Sequence, residues 1–310
     1  MRILVYRPDS GVALWAEDLK AALPQAEVLV WREGDHETLS CDFAVIWAPP
    51  PALLDCLHNA KAIFLMGAGV DGILKYGNAL PDVPIVRVGD AGMGVQMAEF
   101  VVHAVLRYFR RFDEYERQAR NKVWAPLKVP EKADFSVGVL GTGKLGQRVL
   151  QALAPFGFPL RGWSRSARAI EGVTTFAGKE QLDDFLRGTR VLVCMLPLTL
   201  ETTHLIDRGR LLTLPTGAYI INVARGALIA EPDLLTLIRA NHIAGATLDV
   251  FRNEPLPAPH PFWDEPRIVI TPHISGNTVR GESIVQMVHK MGQIERGEPV
   301  DDVVDRALGY

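Results

Sequence analysis

The segment Phe135-Ser-Val-Gly-Val-Leu-Gly-Thr-Gly-Lys-Leu-Gly146 constrains the fold more than any other part of this chain. Phe135 to Leu140 read as a short buried strand, and an apolar helical spacing follows at Leu145, Val149, Leu150 and Leu153. Between them, Gly141 suits a tight turn, Gly143 lets the backbone approach a pyrophosphate, and Gly146 lets the new helix pack closely on the sheet. The helix N-terminus adds N–H groups and the positive end of its dipole. With Thr142, Lys144 and Leu145 this makes a dinucleotide-binding loop; the plain alternative is a glycine-rich turn without a ligand.

A chain of 310 residues is long enough for two domains with separate cores. The fingerprint comes late, so something else folds first. Strand-like runs at Ile3 to Tyr6, Glu27 to Trp31, Phe43 to Trp47 and Ala62 to Met66 alternate with helical patterns at Val12 to Leu23 and Ala52 to Asn59, and Val86 closes this first region. From Gly94 to Asn121 an apolar periodicity predicts one long helix, or two joined by a kink, bridging to the second region. Beyond the fingerprint, strands are expected near Leu160 to Trp163, Val191 to Leu196, Ala218 to Val223, Gly245 to Val250 and Ile268 to Ile270. Helices are expected at Leu182 to Arg187, Pro232 to Ala240 and Val279 to Arg296. The expected class is α/β, two doubly wound parallel-sheet domains: a Rossmann cofactor domain, 93–279, inserted in a smaller flavodoxin-like substrate domain, 1–92 plus 280–310.

Composition narrows the function. A formal charge of −3 gives no basic excess for nucleic acid, and no apolar run is long enough to span a bilayer. Cys41, Cys56 and Cys194 form no close pair, which argues against a disulfide framework or a zinc site and fits a reducing cytoplasm. The N-terminus enters a strand-like run without a signal-peptide pattern. No cluster of His, Cys and carboxylates has metal spacing, so no metal is expected.

In an open α/β sheet, ligands bind outside the carboxyl ends of the strands. Three such ends carry candidates: Ala218 to Val223 leads to Ala224 and Arg225, Gly245 to Val250 leads to Glu254, and Ile268 to Ile270 leads to His273. A guanidinium, a carboxylate and an imidazole could converge on one crevice. Singly, each also reads as a surface arginine, a turn acid or a loop histidine.

The stretches Asn222-Val-Ala-Arg-Gly-Ala-Leu-Ile, Leu248-Asp-Val-Phe-Arg-Asn-Glu-Pro-Leu-Pro and Thr271-Pro-His-Ile-Ser-Gly resemble the D-isomer-specific 2-hydroxyacid dehydrogenases, over essentially the whole chain. Met66-Gly-Ala-Gly-Val-Asp71, Gly92-Met-Gly-Val-Gln-Met97 and Gly162-Trp-Ser-Arg-Ser166 look most like the glyoxylate/hydroxypyruvate reductase branch. The resemblance implies Arg225 for the substrate carboxylate and carbonyl, His273 as general acid and Glu254 as its orienting partner. It implies substrate contacts from Trp47, Met66, Gly67, Ala68 and Gly69, the last three as a small anion nest. It also places Leu196, Pro197, Thr199, Val223, Ala224 and His273 beside the cofactor, and Asp249 at the nicotinamide amide.

An NAD-specific site carries an acidic residue at the end of its second strand, to bind the ribose 2′-OH. Here Ser164, Arg165, Ser166 and then Arg168 follow that strand. NADP(H) is therefore the expected cofactor, with NAD(H) possible if the arginines are only solvated surface charges. The expected reaction is NADPH-dependent reduction of a small 2-oxoacid, glyoxylate or hydroxypyruvate, to the D-2-hydroxyacid. A homodimer through the cofactor domain is expected from the apolar long helix and from the resemblance. The alternatives are NAD-dependent oxidation of another D-2-hydroxyacid such as phosphoglycerate, or a nucleotide-sensing binding protein.

Overall fold

The computed structural model describes residues 1–34 and 40–310, which divide into two compact units, Met1–Gly92 with Thr278–Tyr310, and Met93–Asn277. The first unit begins β1 (Arg2–Tyr6), α1 (Val12–Ala22), β2 (Glu27–Val30), β3 (Phe43–Ile46), α2 (Pro51–Leu54), β4 (Ala62–Leu65), α3 (Asp71–Leu74) and β5 (Ile85–Val86). Its sheet runs β2-β1-β3-β4-β5 with every pair parallel, the flavodoxin-like order. β3 and β4 are buried along their whole length, which is why they read as unbroken apolar runs. The helix expected over Ala52 to Asn59 is a single turn. After Leu54 the backbone tightens, with the N–H groups of Cys56, Leu57 and Ala60 each bonding three residues back rather than four.

The second unit holds α4 (Met93–Phe109), α5 (Phe112–Arg120), β6 (Val137–Leu140), α6 (Lys144–Leu153), β7 (Leu160–Ser164), β8 (Val173–Ala177), α7 (Leu182–Arg187), β9 (Val191–Cys194), α8 (Arg208–Thr213), β10 (Ala218–Asn222), α9 (Glu231–Arg239), β11 (Ile243–Leu248) and β12 (Ile268–Ile270). The chain then re-enters the first unit, where α10 (Arg280–Glu295) packs on α1. The sheet order is β12-β11-β10-β9-β6-β7-β8, all parallel, so the winding reverses between β6 and β9. That reversal is the switch point at which doubly wound sheets bind nucleotides.

Strand alternation builds a core on each face of this sheet. Val137, Val139, Val191 and Val193 face one side, with Met97, Val101, Val105, Val149 and Leu153 of α4 and α6. Leu140, Leu192 and Cys194 face the other, with Leu182, Phe185, Leu211, Leu234 and Ile238 of α7, α8 and α9. Of the two readings of the long apolar stretch, the kinked one is observed. Arg111, between α4 and α5, sits in the left-handed region at φ 58° and breaks the helix. The apolar face of α4 is spent on its own unit, leaving Val95, Phe112, Val123 and the fully exposed Trp124 as the large apolar side chains open to solvent along this stretch. Among the described residues, no helix is long and apolar enough to cross a membrane.

Candidate active site

The glycine loop after β6 shows three different needs for glycine. Gly141 has φ +114°, and a Cβ there would lie 2.8 Å from the Met195 backbone at the end of β9. At Gly146 a Cβ would stand 1.9 Å from the Gly141 carbonyl oxygen, so only glycine lets α6 press onto the loop. Gly143, at the N-cap of α6, differs: a Cβ there would meet nothing within 4 Å. The open side of the loop lies where a pyrophosphate would rest against the start of α6, with Lys144 and Leu145 in its first turn. A dinucleotide fits this loop.

At the end of β7, Ser164 Oγ donates to the Ser166 carbonyl at 2.9 Å, and Arg165 and Ser166 are exposed. No carboxylate occupies Ser164 to Arg168. Arg168, four residues beyond the strand, donates from Nη1 to the Thr142 carbonyl at 2.9 Å. After β9, Leu196 and Pro197 are half-buried, and Thr199 forms a reciprocal turn with Thr202, whose hydroxyl also donates to the Pro197 carbonyl at 2.7 Å. The Thr199 hydroxyl thus shapes its own loop. Val223 and Ala224, after β10, are buried. Cys194 is also fully buried, and desolvation pushes its thiol up to about 12, so it is no nucleophile.

Arg225 is presented by Asn222, a polar residue almost completely buried at the end of β10. The Asn222 amide donates to the Arg225 carbonyl at 2.9 Å and its oxygen accepts from the Ala224 N–H at 3.1 Å. The Arg225 guanidinium, half-buried, donates to the Ala224 carbonyl at 2.7 Å. Gly226 then lets another loop pass, since a Cβ there would come within 2.0 Å of the Phe251 backbone. That second loop carries Glu254. One Glu254 oxygen accepts from the Phe251 N–H at 2.9 Å, and the other lies 2.7 Å from His273 Nδ1. The acid and the imidazole meet although 19 residues separate them, because β11 and β12 are parallel neighbours ending at the same edge.

His273 has φ 55°, a conformation few non-glycine residues adopt, and the backbone is held there by Asp249. Asp249 is fully buried, and its carboxylate accepts from the Thr271 hydroxyl at 2.5 Å and from the Ile274 and Ser275 N–H groups at 2.9 and 2.8 Å, while its carbonyl accepts from the His273 N–H at 2.9 Å. The resemblance implied a cofactor contact for Asp249. In the structure both its oxygens serve the loop that carries His273, and no part of it reaches the surface. Asn222 and Thr271 were not singled out from sequence, although a buried Asn ending an apolar strand signals a satisfied polar role.

In the other unit, Trp47 and Gly67 follow the neighbouring strands β3 and β4. The indole of Trp47 stands directly over Gly67, where a Cβ would lie 2.8 Å from Cζ3. Met66 is almost fully buried, and its carbonyl accepts from the Thr278 hydroxyl at 2.9 Å. Trp47 supplies the nearest bulk over Gly67, and Ala68 and Gly69 are half-exposed.

The second unit thus joins a dinucleotide-type glycine loop to strand ends carrying an arginine and a paired Glu–His, the equipment of a nicotinamide-dependent oxidoreductase. The family profile for "D-isomer specific 2-hydroxyacid dehydrogenase, NAD binding domain" matches residues 102–275. Glyoxylate/hydroxypyruvate reductase A of Yersinia enterocolitica is 44% identical over 315 aligned positions covering both chains in full. Among solved structures, a D-isomer specific 2-hydroxyacid dehydrogenase from Xanthobacter autotrophicus Py2, in complex with NADPH and MES, superposes with TM-score 0.94 at 40% identity, covering 100% of this chain and 99% of that one. The NADPH-dependent glyoxylate/hydroxypyruvate reductase of Sinorhizobium meliloti, with NADP and sulfate, does so with TM-score 0.92 at 35% identity and the same coverage. The chain belongs to the D-isomer specific 2-hydroxyacid dehydrogenase family.

Proposed function

We propose that this protein reduces small 2-oxoacids, glyoxylate and hydroxypyruvate foremost, to D-2-hydroxyacids with NADPH. The observation that carries the chemistry is the 2.7 Å contact between Glu254 and His273, beyond the ends of the two strands that follow that of Arg225 in the sheet. Arg225, permanently charged and fork-shaped, holds the substrate carboxylate and polarises the carbonyl. Glu254 engages Nδ1 of His273 and so leaves Nε2 as the donor that gives a proton to the carbonyl oxygen. When bound, the nicotinamide supplies the hydride to the adjacent carbon. One hydride and one proton make the hydroxyl product without a metal. The loop Gly141 to Gly146 receives the pyrophosphate, with Leu196, Pro197, Thr199, Val223 and Ala224 beside the cofactor. Ser164, Arg165 and Ser166 favour a 2′-phosphate, which an acid in their place would repel. NADPH and NADP occupy the Xanthobacter and Sinorhizobium relatives, which supports that preference.

Trp47, Met66 and the Gly67 to Gly69 loop are assigned to the substrate on the family resemblance. Exposed Val123 and Trp124 support a homodimer formed through the second unit. Three cysteines without a disulfide support a cytoplasmic location. The test is a steady-state panel of 2-oxoacids with both reduced cofactors. Glyoxylate and hydroxypyruvate with NADPH should give the highest kcat/KM. First place for 3-phosphohydroxypyruvate or a branched oxoacid overturns the substrate assignment, and NADPH binding without turnover of any oxoacid overturns the enzymatic one.

A further inference from the structure

The carbonyl of Thr142, at the centre of the glycine loop, accepts two side-chain donors: Gln147 Nε2 from α6 at 3.1 Å and Arg168 Nη1 at 2.9 Å. A carbonyl oxygen has two lone pairs, so this one is saturated. Its peptide is planar and trans, and the N–H of Gly143 belongs to the same plane and points the opposite way. Fixing the carbonyl therefore fixes the direction of that N–H, on the residue whose missing side chain leaves the loop open. Arg168 lies four residues after Ser164, and the Thr142 methyl lies against β7, 2.8 Å from where a Cβ on Gly162 would stand. The glycine loop and the end of β7 are thus built against each other, with an exposed arginine tied across them.

We propose that Arg168 is a positioning residue shared by the two phosphate-recognising segments. One N–H of its guanidinium holds the Thr142–Gly143 peptide in the orientation that pyrophosphate binding needs, and its other donors are left for the ribose 2′-phosphate. The inference rests on the NADPH reading for the second role and is independent of it for the first. Arg165, exposed just after β7, is assigned to the 2′-phosphate. Recognition of the 2′-phosphate and of the pyrophosphate is therefore coupled through one side chain. A guanidinium suits this task because its donors are spread over a rigid plane, whereas a lysine ammonium would serve one acceptor group or the other.

The experiment is equilibrium binding of NADPH and of NADH to the protein without substrate, followed by calorimetry, so the readout is affinity rather than turnover. Arg168→Ala should weaken NADPH by about tenfold to hundredfold, the usual consequence of losing a charged hydrogen bond. It should also weaken NADH, by roughly threefold to tenfold, because the loop has lost its brace. Gln147→Met removes the other donor to the same carbonyl and should weaken both cofactors about equally, leaving their ratio unchanged. Arg165→Ala should weaken NADPH and spare NADH. Loss of NADPH affinity alone in Arg168→Ala, with NADH unaffected, overturns the brace and leaves the NADPH preference standing. Equal losses for both cofactors, in a protein whose wild type binds them equally, keep the brace and overturn the 2′-phosphate role. Unchanged affinities for both overturn the proposal entirely.

Discussion

Two glycine loops, Gly67 to Gly69 after β4 and Gly141 to Gly143 after β6, use the absence of a side chain in opposite ways. At Gly67 the protein fills the space itself, with the indole of Trp47 where a Cβ would be. At Gly143 the space is left open, and neighbouring glycines are consumed in pressing strand and helix together around it. The first loop has its surface set by a bulky neighbour, so its shape can be tuned by one residue without moving backbone. The second leaves backbone open at Gly143 while Gly141 and Gly146 are locked against other backbone, so it tolerates no such adjustment. On the proposed function, specificity for a small substrate goes with the first arrangement, and general recognition of a pyrophosphate with the second.

That contrast predicts different costs in the two places, and none of the chemistry in either. The largest effect should come from His273→Ala, which removes the proton donor and touches neither loop. It should lower kcat on the order of a hundredfold or more while NADPH affinity, read by calorimetry, falls far less. A parallel fall in NADPH affinity would tie His273 to the cofactor instead. Gly146→Ala comes next. Its methyl cannot avoid the Gly141 carbonyl 1.9 Å away, and both are backbone-fixed, so the loop must open. The strain should cost about 1–3 kcal/mol, seen as a lower thermal midpoint together with NADPH binding weakened by tenfold or more. Normal binding would mean that the tight packing of α6 is not what shapes the loop.

Gly67→Ala should be milder, because the atom it meets belongs to an indole that can swing rather than to backbone. The expected result is a threefold to tenfold change in KM for the oxoacid with NADPH affinity unaltered, on the order of 1 kcal/mol. An effect on NADPH instead would erase the division of labour between the loops. The smallest effect concerns the buried thiols, one in each unit. Burial pushes Cys41 up to about 11 and Cys194 up to about 12, against an ordinary 9.0. Below pH 9 the thiols are neutral in both folded and unfolded chains and contribute no pH dependence. As pH rises past that point the unfolded chain ionises them and the folded chain does not, so stability should fall. Thermal midpoints measured at rising pH for the wild type and for Cys194→Ala should show a steeper alkaline decline in the wild type. Parallel curves would remove Cys194 from that decline.

Much of this organisation was legible in the residues. β12 and α7 fall where the apolar patterns put them, because both are short elements bounded by clear polar or proline signals. β8 was missed: Val173–Ala177 is a half-exposed edge strand with two threonines, and it lacks the continuous apolar run that marks its buried neighbours. α8 was missed too, although Asp207 caps it by accepting from the Arg210 N–H. At the candidate site, Arg225, Glu254 and His273 were singled out by their places beyond apolar strands, and the roles proposed for them came from the family resemblance. Their supports could not be read that way. That Asp249 grips the turn carrying His273, or that Arg168 reaches back to Thr142, depends on distances across the sheet that no local pattern encodes.

On the proposed function, this chain moves a hydride from NADPH to the carbonyl carbon of a small 2-oxoacid while His273 protonates the oxygen. The most direct test is to incubate it with hydroxypyruvate and NADPH carrying deuterium at the transferable C4 position, then analyse the product by mass spectrometry and chiral separation. One deuterium on C2 of D-glycerate is the predicted result. Product without deuterium, the L-isomer, or no product from a protein that binds NADPH would contradict it.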